Sequence, residues 1–556
     1  MRSLGEARPG TPVIDCSEVS ARLRHPATVI DKAEAIAAGQ VRLTGMPQPL
    51  PAHCVVSGRL QERISPVDGK RYAIGFEARL PASWNGRFFY QANGGLDGFV
   101  TQATGNLLGG GPRESALHRG FAVLSSDAGH ALDRSAGAIG GGVFGLDPQA
   151  RLDYGYQAVP KLTSMARALL EAYYGRAADR SYLVGSSNGG RHGFVAAARD
   201  TGAFDGIAVT TPGYRLPRAA LAQLWGAQQF AAVTSLDPRT GRPDMKAALT
   251  PADMALLAQR VRERCDALDG LADGIVSDTL ACQRSFDIER DVPTCPGARE
   301  AGCLDRARKT ALARVFAGPA GPDRKPVYAP LPWDPGVAGK DWAAWKLEHS
   351  VGPRDAVAVA YVFSTPPASP AVVTGQGTTL LDFVLAFDVS ARASTIDARQ
   401  GPYTESAMEF MTPPDEMMKA YVARGGKLLV AHGVADPVFS ALDTAAWFDR
   451  FTAHHGASTA DRARLYLVPG MNHSRDGVAT DQFDLVSALV AWVERGDRPE
   501  ALVATARGPG SNLPNPELPA SWSTGRTRLL CPYPQVARYR GQGDPERAES
   551  FQCTGP

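Results

Sequence analysis

The sequence predicts an α/β fold in which one core domain is interrupted by a large inserted lid. From about residue 55 to residue 212, apolar runs of strand length alternate with helical stretches, and the alternation returns from residue 427. Between these zones the alternation disappears, and the chain carries four of its cysteines, many prolines and irregular stretches rich in Trp and Asp. We therefore expect a core built from residues 1–213 and 415–556, with an insertion at residues 214–414.

Short apolar runs and helical periodicity define the elements of this core. Five apolar runs predict buried strands, at residues 122–126, 181–184, 206–209, 427–431 and 464–468. A further strand starts at Phe88 and leads into glycines. Apolar residues at helical spacing predict three helices, at residues 154–174, 442–451 and 481–493. The tail after residue 507 is rich in Pro and Gly, which indicates irregular structure.

The composition is that of a globular protein and argues against several functional classes. Lys and Arg number 59 and Asp and Glu 57, so the net charge is only +2 on 556 residues, unlike that of a strongly basic nucleic-acid binder. Apolar residues make up 44% of the chain and charged residues 21%. No apolar run reaches the roughly 18 residues that a membrane-spanning helix needs. We expect no nucleic-acid partner and no membrane span, and the oligomeric state stays open.

The segment after the strand at residues 181–184 has the pattern of a nucleophile turn. It contains G-x-S-x-G, from Gly185 to Gly189, with Ser187 at the centre and a helix of small residues following. A serine between glycines on a strand-to-helix turn can adopt the strained backbone that exposes its hydroxyl group. The motif alone is weak, because an ordinary Gly- and Ser-rich turn also produces it, but the flanking strand and helix supply the required context. Ser187 is the predicted nucleophile.

Two later loops supply a candidate acid and a candidate base. In α/β-hydrolases the chain order is Ser, then an acid, then His, each after the end of a strand. Asp436 follows the strand at residues 427–431, and His473 follows the strand at residues 464–468. A lone Asp or His in a loop is usually solvated, but the three residues occur here in the required order. We predict that His473 acts as general base and then acid, and that Asp436 orients its imidazole.

Acyl transfer also needs hydrogen-bond donors for the oxyanion that develops on the substrate. One predicted donor is the backbone N–H of Asn188, directly after the nucleophile. The other is the N–H of Gly95, in the glycine-rich loop after the strand at Phe88, with Gly94 as the alternative donor. An ordinary turn would also explain these glycines.

An acidic loop in the insertion is a candidate calcium site. Three closely spaced carboxylates follow Cys265, and they would repel one another unless a hard cation lay among them. Oxygen ligands of this kind suit Ca²⁺, but the spacing is not that of an EF-hand, and a solvated acidic loop is the alternative. The predicted ligands are the side chains of Asp266, Asp269 and Asp273 and the carbonyl groups of Leu271 and Ile275.

The eight cysteines allow two interpretations: unrelated buried thiols, or four structural disulfides in an oxidising compartment. None has the C-x-x-C spacing of a zinc or redox site, and eight cysteines allow about 105 pairings. Residues Met1 to Gly5 contain no apolar signal core, so secretion is inferred from cysteine usage and would require a signal peptide that was removed or a longer precursor.

Several long motifs resemble the tannase and feruloyl esterase family. They are WNGRFF at residues 84–89, FGLDPQAR at 144–151, the acidic loop, LVPGMNH at 467–473 and CPYPQ at 531–535, so the resemblance covers nearly the whole chain. It implies an α/β-hydrolase core, a lid inserted after the nucleophile segment, a structural Ca²⁺ in that lid and hydrolysis of aromatic-acid esters. It also supports four disulfides, and with them a secreted or periplasmic location: Cys16–Cys54, Cys265–Cys282, Cys295–Cys303 and Cys531–Cys553.

The chain departs from the family pattern beside the predicted nucleophile. The family usually places one Cys just before the nucleophile and another just after the catalytic His, and joins them by a disulfide. Ser186 and Ser474 occupy these positions here. We expect packing and hydrogen bonds alone to hold the triad, without a covalent tether that would contribute about 2–4 kcal/mol.

A second departure concerns the acyl group of the substrate. Terephthalate-monoester hydrolases pair a lid arginine with the free carboxylate, but here that position falls near Ser350, and Arg354 would substitute only if the loop were rearranged. Aromatic wall positions do match, which favours an aromatic acyl group, with ordinary core packing as the alternative. The predicted substrate-binding residues are Trp345, Phe363, Phe439 and His432.

Together these features predict a secreted serine esterase that cleaves esters of aromatic acids, such as hydroxycinnamates, gallates or terephthalate monoesters, through an acyl-enzyme. The expected partner is a small aromatic ester, and no organic cofactor is expected. Three alternatives stay open: a catalytically inactive protein that binds aromatic ligands in the same cleft, an α/β-hydrolase of other specificity, and catalysis by the Ca²⁺ ion itself.

Overall fold

In the part of the chain that the structure describes, nine strands form one central sheet. The computed structural model describes residues 3–111, 113–199, 202–297, 300–375, 377–412 and 418–555. The strands are β1 (Thr28–Ile36), β2 (His53–Ile64), β3 (Arg71–Pro81), β4 (Arg87–Ala92), β5 (Ala122–Ser126), β6 (Arg180–Ser186), β7 (Gly206–Thr210), β8 (Lys427–Gly433) and β9 (Ala463–Val468). Their order across the sheet is β1-β2-β3-β5-β4-β6-β7-β8-β9.

The sheet is antiparallel at one edge and parallel in the rest. β1, β2, β3 and β5 are antiparallel neighbours in that order, whereas every pairing from β5 through β4 to β9 is parallel. Alternation of strands and helices was predicted from residue 55, and this is wrong for β2 and β3. A tight turn joins them, in which the N–H of Ser65 donates to the carbonyl of Lys70 at 2.8 Å. Such a short connection permits only antiparallel pairing. Among the described residues no helix lies between β3 and β4 or between β4 and β5, so the alternation begins after β5.

The central strands are buried on both faces of the sheet. In β6, Leu183 joins one hydrophobic cluster, whereas its neighbours Tyr182 and Val184 join a second cluster on the opposite face. In β8, Leu428 and Leu429 divide between the same two clusters. Burial on both faces explains why these strands read as continuous apolar runs. The five predicted strands are confirmed as β5 to β9.

Helices occur throughout the described residues. The α-helices are α1 (Val19–Arg22), α2 (Pro148–Leu152), α3 (Ala158–Tyr174), α4 (Asn188–Arg199), α5 (Leu216–Ala231), α6 (Pro251–Cys265), α7 (Thr279–Ser285), α8 (Ile288–Asp291), α9 (Arg306–Ala317), α10 (Lys340–Ala344), α11 (Asp355–Val357), α12 (Pro370–Thr374), α13 (Leu380–Ala386), α14 (Val389–Arg392), α15 (Ala407–Met411), α16 (Lys419–Ala423), α17 (Ala441–His455) and α18 (Leu485–Arg495). Turns of π-helix lie at Asp153–Gln157, Trp345–His349 and Ala358–Phe363. Turns of 3₁₀-helix lie at Cys16–Glu18, Arg134–Ile139, Val143–Leu146, Met245–Ala247, Asp266–Asp269, Pro335–Ala338, Ala393–Ile396, Gly456–Asp461 and Ala548–Ser550.

Helices cover both faces of the sheet. α3 buries Leu162 and Leu169 in the cluster on one face, and α18 buries Leu489 and Trp492 in the cluster on the other. The three predicted helices are found as α3 with the π-helical turn before it, α17 and α18. α18 begins at Leu485, later than the predicted residue 481, because the side chain of Asp484 caps it by accepting a hydrogen bond from the N–H of Ser487.

The chain between β7 and β8 is helical and irregular. It contains α5 to α16 and, among the described residues, no strand of the central sheet. Little regular sheet was predicted here, which is confirmed, but the extent of helix was not predicted. Nine of these twelve described helices have seven residues or fewer, too short for helical periodicity to show in the sequence. Residue 414, the predicted end of the insertion, lies outside the described residues, so the division at residues 213 and 414 stays a prediction.

All eight cysteines form disulfides, in the pairs that the resemblance supported. These are Cys16–Cys54, Cys265–Cys282, Cys295–Cys303 and Cys531–Cys553. The last of them lies in a tail that is more regular than predicted, because β10 (Leu502–Thr505) pairs with β11 (Thr527–Leu530) and β12 (Val536–Tyr539) pairs with β13 (Phe551–Thr554). Within the described ranges, no helix is both long and apolar enough to cross a membrane.

Candidate active site

The predicted nucleophile lies on a sharp turn between β6 and α4. Ser187 has φ of 62°, a left-handed conformation that costs a residue with a side chain roughly 1–2 kcal/mol. Its N–H donates to the carbonyl of Thr210 on β7 at 3.0 Å, which fixes the turn to the sheet. The flanking glycines are required by space: a Cβ on Gly185 would lie 2.5 Å from the Gly189 oxygen, and a Cβ on Gly189 would lie 2.3 Å from the Ala92 oxygen.

The structure brings the three predicted triad residues together, although they lie far apart in the sequence. The hydroxyl of Ser187 and Nε2 of His473 are 2.9 Å apart. On the other side of the ring, Nδ1 of His473 lies 3.1 Å and 3.0 Å from the two carboxylate oxygens of Asp436. In the tautomer that this arrangement favours, Nδ1–H donates to Asp436 and Nε2 accepts the serine proton.

The surroundings of Asp436 keep it ionised. Burial opposes the negative charge, but the charge of His473 and hydrogen bonds from His432 and His473 outweigh it, so the pKa of Asp436 lies well below its usual value. Backbone N–H groups of Val438 and Phe439 also donate to Oδ1, at 2.7 Å and 3.2 Å. An ionised Asp436 is the form that orients the imidazole ring and stabilises its protonated state.

His432 was predicted to bind substrate, and the structure places it elsewhere. The side chain is fully buried behind the acid, where its Nε2 lies 3.3 Å from Oδ2 of Asp436 and 3.1 Å from the carbonyl of Phe439. Its Nδ1 lies 2.9 Å from the hydroxyl of Thr444 on α17. His432 therefore supports Asp436 and does not line the cavity beside Ser187. The sequence did carry one signal for this supporting role, namely the position of His432 at the end of β8, directly before the loop of Asp436.

A cavity opens beside Ser187. Its empty volume, including the open mouth, is about 390 Å³, and Gly95, Asn188, Trp345 and Phe439 line it together with Ser187. The rings of Trp345 and Phe439 meet the ring of His473 edge-on, with centroids 5.3 Å and 5.5 Å apart. The apolar remainder of the wall is formed by Leu96, Leu216, Ala219, Ala220, Ala358 and Val438.

Phe363 differs from the prediction, whereas the sequence had left the place of Arg354 open. Phe363 does not line the cavity, because it ends a π-helical turn whose side chains are packed into the core, and its own exposure is 0%. Arg354, by contrast, does line the cavity without alignment to the family arginine. It lies in the turn that joins the π-helical turn at Trp345–His349 to α11, and its guanidinium lies 4.8 Å from the centroid of the Trp345 ring.

The two predicted oxyanion donors lie beside the nucleophile. Gly95 has φ of 68°, and a Cβ on the preceding Gly94 would lie 3.7 Å from Cβ of Ser187, so this loop runs next to the turn at Ser187. The second predicted donor is the N–H of Asn188, the first residue of α4. Both residues line the cavity with Ser187.

A buried polar network that the sequence did not reveal joins the two donor segments. Oδ2 of Asp97, two residues after Gly95, lies 2.9 Å from Nδ2 of Asn188 and 2.9 Å from Nε2 of His192. Nε of Arg191 donates to Oδ1 of Asn188 at 2.6 Å. Burial raises the pKa of Asp97 and lowers the pKa of His192, so burial favours the uncharged form of each. The network links the Gly95 loop to the start of α4.

Hydroxyl groups occupy the place where the family usually has its active-site disulfide. The hydroxyls of Ser186 and Ser474 are 2.5 Å apart, and that of Thr211 lies 2.7 Å from Ser474. The pair thus joins the strand before the nucleophile to the loop of His473 by a hydrogen bond. This arrangement matches the expectation that polar contacts hold the triad without a covalent link.

The acidic loop of the insertion offers oxygen ligands only, a donor chemistry that fits Ca²⁺. Its three carboxylates, however, turn towards N–H groups of the loop itself: Asp266 accepts from Gly274 at 2.9 Å and Asp269 from Ser277 at 2.9 Å, while Asp273 forms an ion pair with Arg528. Among the described residues, no group of three or more His, Cys, Asp or Glu side chains lies close enough together to hold a metal ion. Calcium binding therefore stays a prediction.

Comparison with known proteins identifies the family. Residues 54–554 match the family described as tannase and feruloyl esterase. The chain belongs to this family. Among tannase-family relatives, the mono(2-hydroxyethyl) terephthalate hydrolase of Piscinibacter sakaiensis is 40% identical over 533 residues, which cover 91% of this chain and 85% of that protein. An uncharacterised esterase of Xanthomonas campestris is 30% identical, with 97% and 91% of the two chains covered.

Two solved esterase structures share the fold. Feruloyl esterase B from Aspergillus oryzae superposes with a TM-score of 0.74 at 21% identity, over 97% of this chain and 99% of that chain. Tannin acyl hydrolase from Aspergillus niger superposes with a TM-score of 0.65 at 18% identity, over 98% and 95%. The predicted α/β-hydrolase fold is confirmed, and the protein is a carboxylic ester hydrolase of the tannase family.

Proposed function

We propose that this esterase hydrolyses esters of aromatic acids through a covalent acyl-enzyme on Ser187. The observation that carries the proposal is the continuous hydrogen-bonded series from Ser187 through His473 to Asp436, which opens into a cavity bounded by aromatic rings. The names of two relatives, a mono(2-hydroxyethyl) terephthalate hydrolase and a feruloyl esterase B, support an aromatic acyl group.

The geometry supports a two-step mechanism. Oγ of Ser187 attacks the ester carbonyl carbon while His473 takes the hydroxyl proton, and the backbone N–H groups of Gly95 and Asn188 donate to the oxyanion. The tetrahedral intermediate collapses, the C–O bond to the alcohol breaks, and His473 returns the proton to the leaving oxygen. Water then attacks the acyl-enzyme with His473 again as base, which releases the acid and restores Ser187.

Activity towards three esters tests the proposal. Methyl ferulate, methyl gallate and monomethyl terephthalate should be assayed side by side with the wild type, Ser187→Ala and His473→Ala. We expect turnover of at least one ester, and a loss on the order of 10⁶-fold in kcat for either variant. A serine-directed phosphonate should label the wild type but not Ser187→Ala. Full activity of Ser187→Ala would refute the mechanism, and absence of both turnover and labelling in the wild type would favour a binding protein.

We further propose that the acidic loop holds a structural Ca²⁺ ion. The side chains of Asp266, Asp269 and Asp273 and the carbonyls of Leu271 and Ile275 would hold it, and the ion would neutralise the clustered charge and cross-link the loop. The support is the oxygen-only donor set in a segment clamped by the Cys265–Cys282 disulfide.

Removal of calcium tests its role. A chelator should lower the melting temperature while the initial esterase rate at 25 °C persists, because no reacting group is lost. Immediate loss of turnover would instead indicate catalysis by the ion. An unchanged melting temperature, together with no calcium in the purified protein by elemental analysis, would contradict the site.

We also propose a secreted or periplasmic location, supported by the four disulfides, which persist in oxidising compartments. Fractionation of the producing cells, with thiol labelling of each fraction, tests this location. A cytoplasmic pool with free thiols and full activity would contradict it.

A further inference from the structure

Two charged side chains line the cavity beside Ser187 without a part in the proposed bond-breaking steps. They are Arg354 and Asp355, the latter at the start of α11. Apart from Ser187, Asn188 and the amide of Gln223, the other lining side chains are apolar or aromatic. Isolated polar groups in an otherwise apolar pocket are the usual determinants of ligand orientation and specificity.

The carboxylate of Asp355 has an unused acceptor. The residue is only 7% exposed, and its Oδ2 has almost no accessible surface. That oxygen accepts no hydrogen bond from any residue that the structure describes, although the Ser350 side chain hydrogen bonds to the carboxylate. Buried carboxylate oxygens are normally hydrogen bonded, so a free one beside a cavity indicates a donor on the ligand. The position of this carboxylate is fixed by packing, because Asp355 is the first residue of α11 and all three residues of that helix are buried.

Arg354 offers the complementary donors. Its side chain is half-buried and makes no hydrogen bond or salt bridge with the described residues, while its guanidinium packs over the ring of Trp345 at 4.8 Å. A Cβ on Gly95 would lie 3.4 Å from Nη1 of Arg354, so these donors lie near the oxyanion loop. Contact with the ring restricts the guanidinium group, which favours recognition of a ligand oxygen.

Other charged groups around Asp355 are already engaged. Nζ of the buried Lys346 donates to Oε1 of Gln223 at 3.0 Å, and His473 belongs to the triad. Burial raises the pKa of Asp355 to about 6, and the charges of Arg354, Lys346 and His473 limit that rise. Near neutral pH the carboxylate is therefore ionised and can only accept hydrogen bonds.

We propose that Asp355 and Arg354 form a specificity subsite that selects acyl groups bearing a ring hydroxyl over acyl groups bearing a carboxylate. A ring hydroxyl donates to the carboxylate of Asp355, and an oxygen substituent beside it, a methoxy or second hydroxyl group, accepts from Arg354. A carboxylate in the same place binds Arg354 but faces the like charge of Asp355. This inference rests on the proposed esterase function, which it refines by assigning the discrimination to one residue.

Three matched esters test the subsite. Methyl 4-hydroxybenzoate carries the ring hydroxyl, methyl benzoate lacks it, and monomethyl terephthalate carries a carboxylate at the same ring position. For the wild type at pH 7.5, we expect kcat/KM for the hydroxybenzoate to exceed that for the benzoate by about 10- to 100-fold, the value of one hydrogen bond to a charged group. Asp355→Asn should lose most of this preference, raise kcat/KM for the terephthalate monoester and change kcat/KM for the benzoate least of the three.

Selectivity ratios also separate the subsite from the triad. On lowering the pH from 7.5 to 5, protonation of Asp355 should raise the ratio of kcat/KM for the terephthalate monoester to kcat/KM for the benzoate in the wild type but not in Asp355→Asn, whereas any effect of pH on the triad is common to both esters and cancels. Glu348→Gln is the matched control, because Glu348 lies on the neighbouring π-helical turn, pairs with Lys246 at the surface and does not line the cavity. We expect wild-type ratios from it.

The outcomes are distinct. An equal loss with all three esters in Asp355→Asn, or ratios identical to those of the wild type, would overturn the subsite while the esterase function stands. If the wild type turned over none of the esters, their binding to Ser187→Ala by calorimetry would still decide the matter: binding of methyl 4-hydroxybenzoate weakened by an added Asp355→Asn change supports the subsite, and equal binding overturns it.

Discussion

Replacing both Ser186 and Ser474 by Cys should create a disulfide beneath the active site and stabilise the protein. The two hydroxyls are already in contact at 2.5 Å, so the side chains point at one another without movement of the backbone. The residues are 288 positions apart in the sequence. The loop-entropy relation for a loop of this length gives an upper value of about 5.7 kcal/mol, and measured disulfides typically contribute about 2–4 kcal/mol.

The expected change in melting temperature follows from the size of the chain. With an unfolding entropy of about 2.1 cal/mol/K per residue, 556 residues give roughly 1.2 kcal/mol/K, so a gain of ~2–5.7 kcal/mol corresponds to a rise of ~2–5 °C. Activity should stay within a few-fold of the wild type, because neither serine contacts the reacting atoms in the proposed mechanism.

A thiol count makes the assay decisive. All eight native cysteines are disulfide-bonded, so the unfolded, unreduced wild type should show no reactive thiol and each single Cys variant one. The double variant should show none and melt higher than either single variant. Two free thiols in the double variant would mean that the contact between Ser186 and Ser474 is not present, and a closed disulfide with a lower melting temperature would refute the claim that the backbone already has the right spacing.

Three further predictions concern buried carboxylates. Asp436→Asn should lower kcat about 10⁴-fold with little change in KM, because an amide no longer holds His473 in the productive tautomer; steady-state kinetics with unchanged kcat would contradict this. Asp97→Asn should lower kcat by a factor about 10 times larger than the factor by which it changes KM, because it loosens the link between the Gly95 loop and Asn188. An effect on KM alone would indicate a role in substrate binding instead. Burial raises the pKa of Asp127 to about 7 from an unfolded value of 3.8, so its stabilising contribution is present below pH 4 and is lost as the pH rises through 7. The free energy of unfolding of Asp127→Asn, relative to that of the wild type, should therefore rise by up to roughly 4 kcal/mol between pH 4 and pH 8. By calorimetry this is a relative rise of ~3–4 °C in melting temperature, and a difference that does not depend on pH would contradict the prediction.

The features that the sequence predicted well depend on local patterns and chain order. β6 and β8 are buried on both faces, so each appears as an uninterrupted apolar run, and the turn at Ser187 has glycines wherever a Cβ would collide. Asp436 and His473 follow the ends of neighbouring parallel strands, and such ends meet at one edge of a sheet. The position of these residues relative to one another therefore follows from the topology.

The features that the sequence did not predict depend on contacts between distant segments. Whether His432 faces the substrate or the acid is decided by Thr444 on a later helix, and no spacing rule connects the two. Arg354 reaches the cavity through a turn between two short helical segments that have no periodic signal. Asp97 becomes part of the active-site surroundings only because it lies beside Asn188, 91 residues away.

Contacts between the acid loop and the base loop explain how the triad keeps its geometry without a disulfide. The N–H of Ala435 donates to the carbonyl of Met471 at 3.1 Å, which ties the two loops together one residue before Asp436 and two residues before His473. The fully buried amide of Asn472 donates to the carbonyls of Ala435 and of Gly336 in the chain between β7 and β8, at 3.2 Å and 2.9 Å. Because these bonds position Asp436 and His473 against each other, the hydrogen bond between Ser186 and Ser474 has only to hold that pair against the nucleophile turn.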